Sequence, residues 1–385
     1  MSEIVTPPDT KRLKRCENAS NNIGRQRIQF IDTAKGFCIL LVVMFHAELL
    51  DKGTPCLGML RMPFYFALSG LFFKDYGGFK TILKKINKLL IPFLFFYIIS
   101  YLFFIGIRIS IGGVIDIPFF SFVNSKKMVN IALWFLLALF WSNVFFLIIY
   151  KVSKNWYILG LLSAVVGVGS MICFNYYGIT LPLYIDSGIV ALPFFYLGYM
   201  LKSSNILYPN SYDKYNILVI MMLIFVAVLC FYSGDKPYIG FGSLDFEGNP
   251  ALFYIGAVSI VIAFILICKK VGPIFGLRYI GRYSLIILGV HLTIISTASN
   301  GFRLLGIDQE ASYFSFMVFF LSIIVSSALI PILIKLFPKF TAQEDLITEG
   351  SIQKLFRAAQ SARVLIMGGT VLIHGIVVAQ TIGDR

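Results

Sequence analysis

The chain has 385 residues, 58% of them hydrophobic and 14% charged, with a formal net charge of +14 at neutral pH. A soluble domain carries about 25% charged residues, so this composition and a mean hydropathy of +0.83 exclude a soluble globular protein and indicate an integral membrane protein. The basic residues are divided among loops rather than massed on one polar domain, which argues against nucleic acid as a partner.

In chain order, residues 1–27 are polar, with Pro7, Pro8 and an Asn/Ser stretch, and read as a disordered basic arm. No cleavable signal peptide is visible, because the first apolar run begins late and is long. Ten apolar segments follow, at 29–50, 57–73, 89–107, 129–150, 156–174, 185–201, 216–233, 250–268, 280–297 and 312–336. They read as membrane spans. Their Phe, Leu and Ile residues lack the alternating period of barrel strands, which leaves helices. The predicted fold is therefore an all-α polytopic transmembrane bundle of about ten spans over residues 28–340. With the amino terminus inside, 26 of the 33 Lys and Arg residues fall on the cytoplasmic side, which predicts that both termini are cytoplasmic. Residues 341–385 read as an appendage, with a marginal apolar run at 364–378.

The six cysteines are scattered, and no close pair points to a metal or redox centre. Gly167 and Gly169 lack the third glycine and the strand context of a nucleotide-binding turn. Histidine, the usual general base near neutral pH, occurs only at His46, His291 and His374. His46 lies eleven residues after Lys35 in the first span. That spacing is about three helical turns and roughly 16 Å of rise, so both side chains leave one helix face. Ionisable groups are costly in hydrocarbon, so their alignment predicts a polar path. The plainer account is that a lone histidine bonds a neighbouring helix, and His291 fits that account as well as it fits a functional one.

Asp32 precedes Lys35 by three residues, where a helix lets them pair. They form either a charge pair at the helix end or an orienting pair for an anionic ligand. Glu48 lies well round the helix from His46 and is expected to meet Arg61 across the outer turn. The cluster Lys74, Lys80, Lys84, Lys85 and Lys88 reads as an inward loop that keeps positive charge inside. Ser69 and Gly70 suit close backbone approach or tight packing. Trp134 is an aromatic residue of the kind common near membrane interfaces. Arg282 suits a phosphate contact, or the charge bias alone.

The run from Arg27 to Asp32, followed by AKGFCILLVVMFH, resembles the opening of the membrane-bound acyltransferase 3 family. That family has a basic residue and a histidine separated by ten others, matched by Lys35 and His46. RMPFYFALSGLFF (61–73), ALWFLLALFW (132–141) and RYIGRYSLIILGVH (278–291) resemble later family segments in the family's order, with Leu71 in place of an aromatic residue. The resemblance covers roughly residues 27–337 and implies O-acyl transfer, usually of acetyl from acetyl-coenzyme A, to a hydroxyl of a surface polysaccharide or its lipid-linked precursor. It implies His46 as base or as a covalent relay, with Lys35 and Asp32 beside it. Lys35, Ser69, Lys84, Lys85 and Arg282 would serve the acyl-coenzyme A substrate, and Glu48, Arg61, Trp134 and His291 the glycan. No bound cofactor or metal is implied, and the location is a bacterial inner membrane with lipid around the bundle. The competing class is a transporter or flippase of a glycan or small anion, which composition alone suits equally.

Overall fold

The computed structural model describes residues 29–49, 55–110, 117–124, 127–203, 216–309 and 311–351. The arm at 1–27, the apolar run at 364–378 and His374 lie outside the described residues. The fold is almost wholly helical. Its main helices are α1 (Gln29–His46), α2 (Gly58–Leu71), α3 (Phe79–Lys85), α4 (Ile91–Ser110), α5 (Trp134–Val152), α6 (Trp156–Tyr177), α7 (Ile185–Val190) and α8 (Leu192–Ser203). These are followed by α9 (Asn216–Ser233), α10 (Pro250–Val271), α11 (Phe275–Arg282), α12 (Ser284–Leu304) and α13 (Ser312–Leu336).

Among the described residues, seven helices are long and apolar enough to cross a membrane. An eighth is obtained if Pro182–Val190 and Leu192–Lys202, bent by 55°, form one span. The predicted segments at 57–73 and 216–233 appear as shorter apolar helices, α2 with 14 residues and α9. Two short antiparallel strands, β1 (Tyr238–Gly240) and β2 (Asp245–Glu247), were not expected, and they pair Tyr238 with Glu247.

The chain divides into two compact units. Unit 1 comprises Met1–Ala67, Met200–Gly240 and Asp245–Ser327. Its centre is α1, packed by α10, α11 and α12. The α1–α11 contact is made by backbone. A Cβ on Gly281 would overlap the carbonyl oxygen of Asp32, and one on Gly36 would overlap that of Leu277. Small residues allow helices to approach this closely. The amide of Ile274 donates to Thr33 Oγ1 at 3.1 Å, and Tyr65 of α2 donates to the Lys35 carbonyl at 3.0 Å, fastening both neighbours to α1. Phe37 and Phe64 pack on Phe264 of α10 at ring-centroid distances of 5.5 and 5.2 Å. Asn249 starts α10 by accepting from the Leu252 amide at 3.2 Å, with Pro250 at the first helical position, where its missing N–H costs nothing.

Unit 2 comprises Leu68–Tyr199, Phe241–Leu244 and Ala328–Arg385. Its core gathers Phe73, Phe146, Leu159, Leu192 and Phe195. The lysine-rich stretch predicted as a loop is instead helical, running through α3 and a π-turn (Ile86–Leu90) into α4. Ile82, Leu83, Ile86, Leu89 and Leu90 recur at helical spacing beneath the lysines, which explains the correction. Before α3, Lys151 lies 2.6 Å from Asp75, and this bond with the Gly77 amide lowers the Asp75 carboxyl to about 2.

Asn87, in the π-turn, fastens the chain beyond α13. Its side-chain oxygen accepts from the amides of Leu346 (2.9 Å) and Ile347 (2.8 Å). Its amide nitrogen donates to the carbonyls of Ile347 (2.8 Å) and Leu83 (3.1 Å). Lys80 pairs with Glu349 at 2.9 Å, Lys88 with Asp345 at 3.6 Å, and Phe95 stacks on Phe340. Asn87→Ala removes the acceptor of two backbone amides, at a cost of about 1–3 kcal/mol for groups left unsatisfied. The expected result is protease cleavage within 340–351 at protease levels that leave the wild type intact. Equal resistance of the two proteins would assign the hold to the ion pairs alone.

Candidate active site

Unit 1 carries two polar places, one at each end of α1. At the first end, Asp32 is 4% exposed and pairs with Lys35 at 3.8 Å, as the three-residue spacing predicts. Beside them lies a cleft of ≈ 310 Å³ lined by Gln29, Asp32, Phe275, Arg278, Tyr279 and Arg282. Arg278 donates to the Gln29 side chain at 2.8 Å. Arg282 is exposed and makes no ion pair among the described residues. The cleft thus sets one carboxylate beside two cations, Arg278 and Arg282, and two aromatic rings, while Lys35 is paired to Asp32 without lining it. Such a wall suits a polyanion that also carries a planar ring.

Of these lining residues, the sequence names Asp32 and Arg282 as candidates and leaves out Gln29, Phe275, Arg278 and Tyr279. A signal existed: Phe275, Arg278, Tyr279 and Arg282 are three, four and seven residues apart, which is one face of a short helix.

At the other end, His46 is the last residue of α1, and its ring lies 5.3 Å from that of His291 on α12. His291 is fully buried. Its Nδ1 lies 2.9 Å from the Ile287 carbonyl and 3.0 Å from that of Leu288. Carbonyls only accept, so Nδ1 carries the proton and Nε2 the lone pair. Nε2 is buried with no hydrogen-bond partner among the described residues. Arg61 of α2 is also buried, with its guanidinium 4.0 Å over the Phe45 ring, which in turn meets His46 edge-on at 5.3 Å.

The expected Glu48–Arg61 pair does not form. Glu48 sits past the end of α1 in an exposed turn at φ 57°, while Arg61 takes the Phe45 ring as its partner. Between the two polar places, the shared face of α1 carries Cys38, Ile39 and Val42, all at most 1% exposed. The polar path expected from the alignment of Lys35 with His46 is therefore not present among the described residues: the two ends are joined by the helix itself and separated by packed apolar side chains that fill the shared face.

The remaining candidates lie in unit 2. Ser69 accepts from the Asn143 side chain at 3.0 Å, and a Cβ on Gly70 would overlap the Phe195 carbonyl, so this pair of residues serves helix packing. Lys84 is held 3.4 Å over the Tyr76 ring, and Lys85 is half-buried. Trp134 is 8% exposed and packs with Tyr184 at 6.0 Å and against Gly242, so its indole is part of the interior of that unit.

A family model described as an acyltransferase domain, that of the acyltransferase 3 family, matches residues 28–336. Neither a curated protein nor a solved structure matches the chain. The match ends where α13 ends, so the segment tied to Asn87 lies beyond it. With the matched region covering most of its length, the chain belongs to the acyltransferase 3 family and is a membrane acyltransferase.

Proposed function

We propose that the protein moves an acyl group, typically acetyl, from acyl-coenzyme A to a hydroxyl of a cell-surface polysaccharide or its lipid-linked precursor, within the inner membrane of a bacterium. The observation that carries this reading is the placing of an imidazole pair and a cationic cleft at opposite ends of one helix. Acyl-coenzyme A is cytoplasmic and polyanionic. The Lys35, Arg278 and Arg282 end of α1 suits its phosphates, and Tyr279 and Phe275 suit its base. This puts His46 towards the outer face, where a glycan hydroxyl is presented.

In the proposed reaction, His46 takes the proton from the acceptor hydroxyl as its oxygen attacks the thioester carbonyl. The tetrahedral intermediate collapses, the C–S bond breaks, and the thiolate leaves with the proton returned by the imidazolium. A covalent variant places the acyl group first on His46 and then on the hydroxyl. Asp32, which lines the cleft, holds Lys35 beside it in either route. Cys38, Ile39 and Val42 close the face of α1 between the two ends, so in either route the helices packed on this face have to part to admit the donor arm.

The test uses membranes containing the full chain, supplied with radiolabelled acetyl-coenzyme A and glycan acceptor. Label that becomes ester-linked to glycan, and is released by mild alkali, is the expected result. The bent pair α7–α8 is the feature a transporter would use, since broken helices line transport sites. Passage of unmodified glycan into vesicles with no ester-linked label would replace the acyltransfer reading with that one.

A further inference from the structure

We propose that His291 is the positioning residue for His46, an uncharged orienting partner in the place where many catalytic histidines have a carboxylate. The inference rests on the acyl-transfer reading above and assigns His291 to the base rather than to the acceptor sugar.

A histidine base needs its lone pair turned to the acceptor and its other nitrogen's N–H turned away, which requires a group that accepts that N–H. Among the described residues His46 has no ion pair and no hydrogen bond, and the nearby Glu48 is exposed in its turn. His291 supplies what is missing. Its Nδ1–H is committed to two carbonyls of its own helix, at 2.9 and 3.0 Å, so the ring cannot turn over without stranding that donor. Among the described residues Nε2 is left as a buried lone pair without a partner, and the imidazole packed on this ring is that of His46, at 5.3 Å between centroids.

A buried polar atom left unpaired costs free energy, and a hydrogen bond accepted from the His46 N–H relieves it. With its Nδ1–H committed to two carbonyls and its Nε2 buried as a bare lone pair, His291 rests as a neutral ring. The pair therefore works with both rings neutral at rest and one proton gained, by His46, during the reaction.

The test combines a spectroscopic and a kinetic arm, both on the full chain in detergent or nanodiscs. In the first, ¹⁵N-histidine spectra of the wild type, assigned with His46→Gln and His374→Gln, report the tautomer of His291. The expected form is Nδ1–H, and an Nε2–H form overturns the proposal whether or not the protein transfers acyl groups. In the second, His291→Phe keeps a ring but no acceptor, and His291→Gln restores a side-chain oxygen. His291→Phe is expected to lower kcat roughly 10–100-fold, a fraction of a full general-base effect. The KM for acyl-coenzyme A should stay within threefold, and His291→Gln should recover most of the loss.

A rise in the KM for the glycan at unchanged kcat would make His291 an acceptor contact and overturn the positioning role. Equal losses in Phe and Gln variants, with both chains aggregating, would make it purely structural. Failure of the wild type to transfer any acyl group removes the reaction but leaves the tautomer result standing, so the two failures are distinguishable.

Discussion

Gly281→Ala is expected to separate α11 from α1 and to unfold unit 1 under conditions where the wild type is stable. The added Cβ would overlap the Asp32 carbonyl oxygen and lie 2.5 Å from the Gly36 amide nitrogen. These are backbone atoms in the middle of a helix, so no rotamer change makes room. Overpacking against movable side chains costs about 1–3 kcal/mol, and a backbone obstacle places the cost at the upper end or beyond. Because a domain's whole stability is about 5–15 kcal/mol, a loss of that size is a large share of it.

The control lies on the same helix. A Cβ on Gly276 meets nothing within 4 Å, so Gly276→Ala is expected to be neutral or to stabilise by up to about 1 kcal/mol. Thermal midpoints of the full chains, read by size-exclusion of heated detergent extracts, decide the matter. The Gly281 variant should fall well below the wild type while the Gly276 variant does not. Matching midpoints for the two variants would mean that α11 can lift away freely, and the Arg278–Arg282 wall of the cleft would then be a poor platform for a ligand.

What could be read from the sequence follows the range of each interaction. Apolar runs of span length, the Asp32–Lys35 pair at three residues and the alignment of Lys35 with His46 are local, and each has a spacing that can be counted. The helical course of 79–90 was also countable, since apolar residues recur under the lysines, but charge density was given more weight than period. Asn87 shows the opposite case. Its partners Leu346 and Ile347 are about 260 positions away, and no local pattern announces an asparagine that will hold them. The meeting of His46 with His291 depends on how α12 packs on α1, so the sequence names both histidines as candidates but not their contact.

Arg61 was misassigned for a related reason. Its pairing with Glu48 assumed that charge seeks charge across a turn, whereas a guanidinium on the Phe45 face achieves burial that an exposed carboxylate does not offer. The cleft was half visible: Arg282 was identified through its family-like segment, and its neighbours Arg278 and Tyr279 required the α11 face to be drawn out.

His46→Ala is expected to abolish acyl transfer while leaving donor binding nearly intact. General acid–base catalysis contributes about 10²–10⁴-fold, so kcat should fall by that factor. The donor cleft lies at the opposite end of α1, about three turns away, so the Kd for acyl-coenzyme A should change little. Lys35→Ala has the reverse signature, a weakened donor affinity with a smaller effect on kcat. Sites so far apart with no shared partners act independently, so the double variant should show the product of the single effects.

The same variant separates the two proposed routes. Radiolabelled acetyl-coenzyme A without acceptor should leave label on the wild-type chain if His46 is acylated, and none if transfer is direct. Label that persists in His46→Ala would place a covalent step elsewhere and remove the histidine from the chemistry. Transfer at wild-type rate by His46→Ala would end the assignment of a base at this position, and with it any reason for a buried His291 to keep a lone pair turned towards that ring.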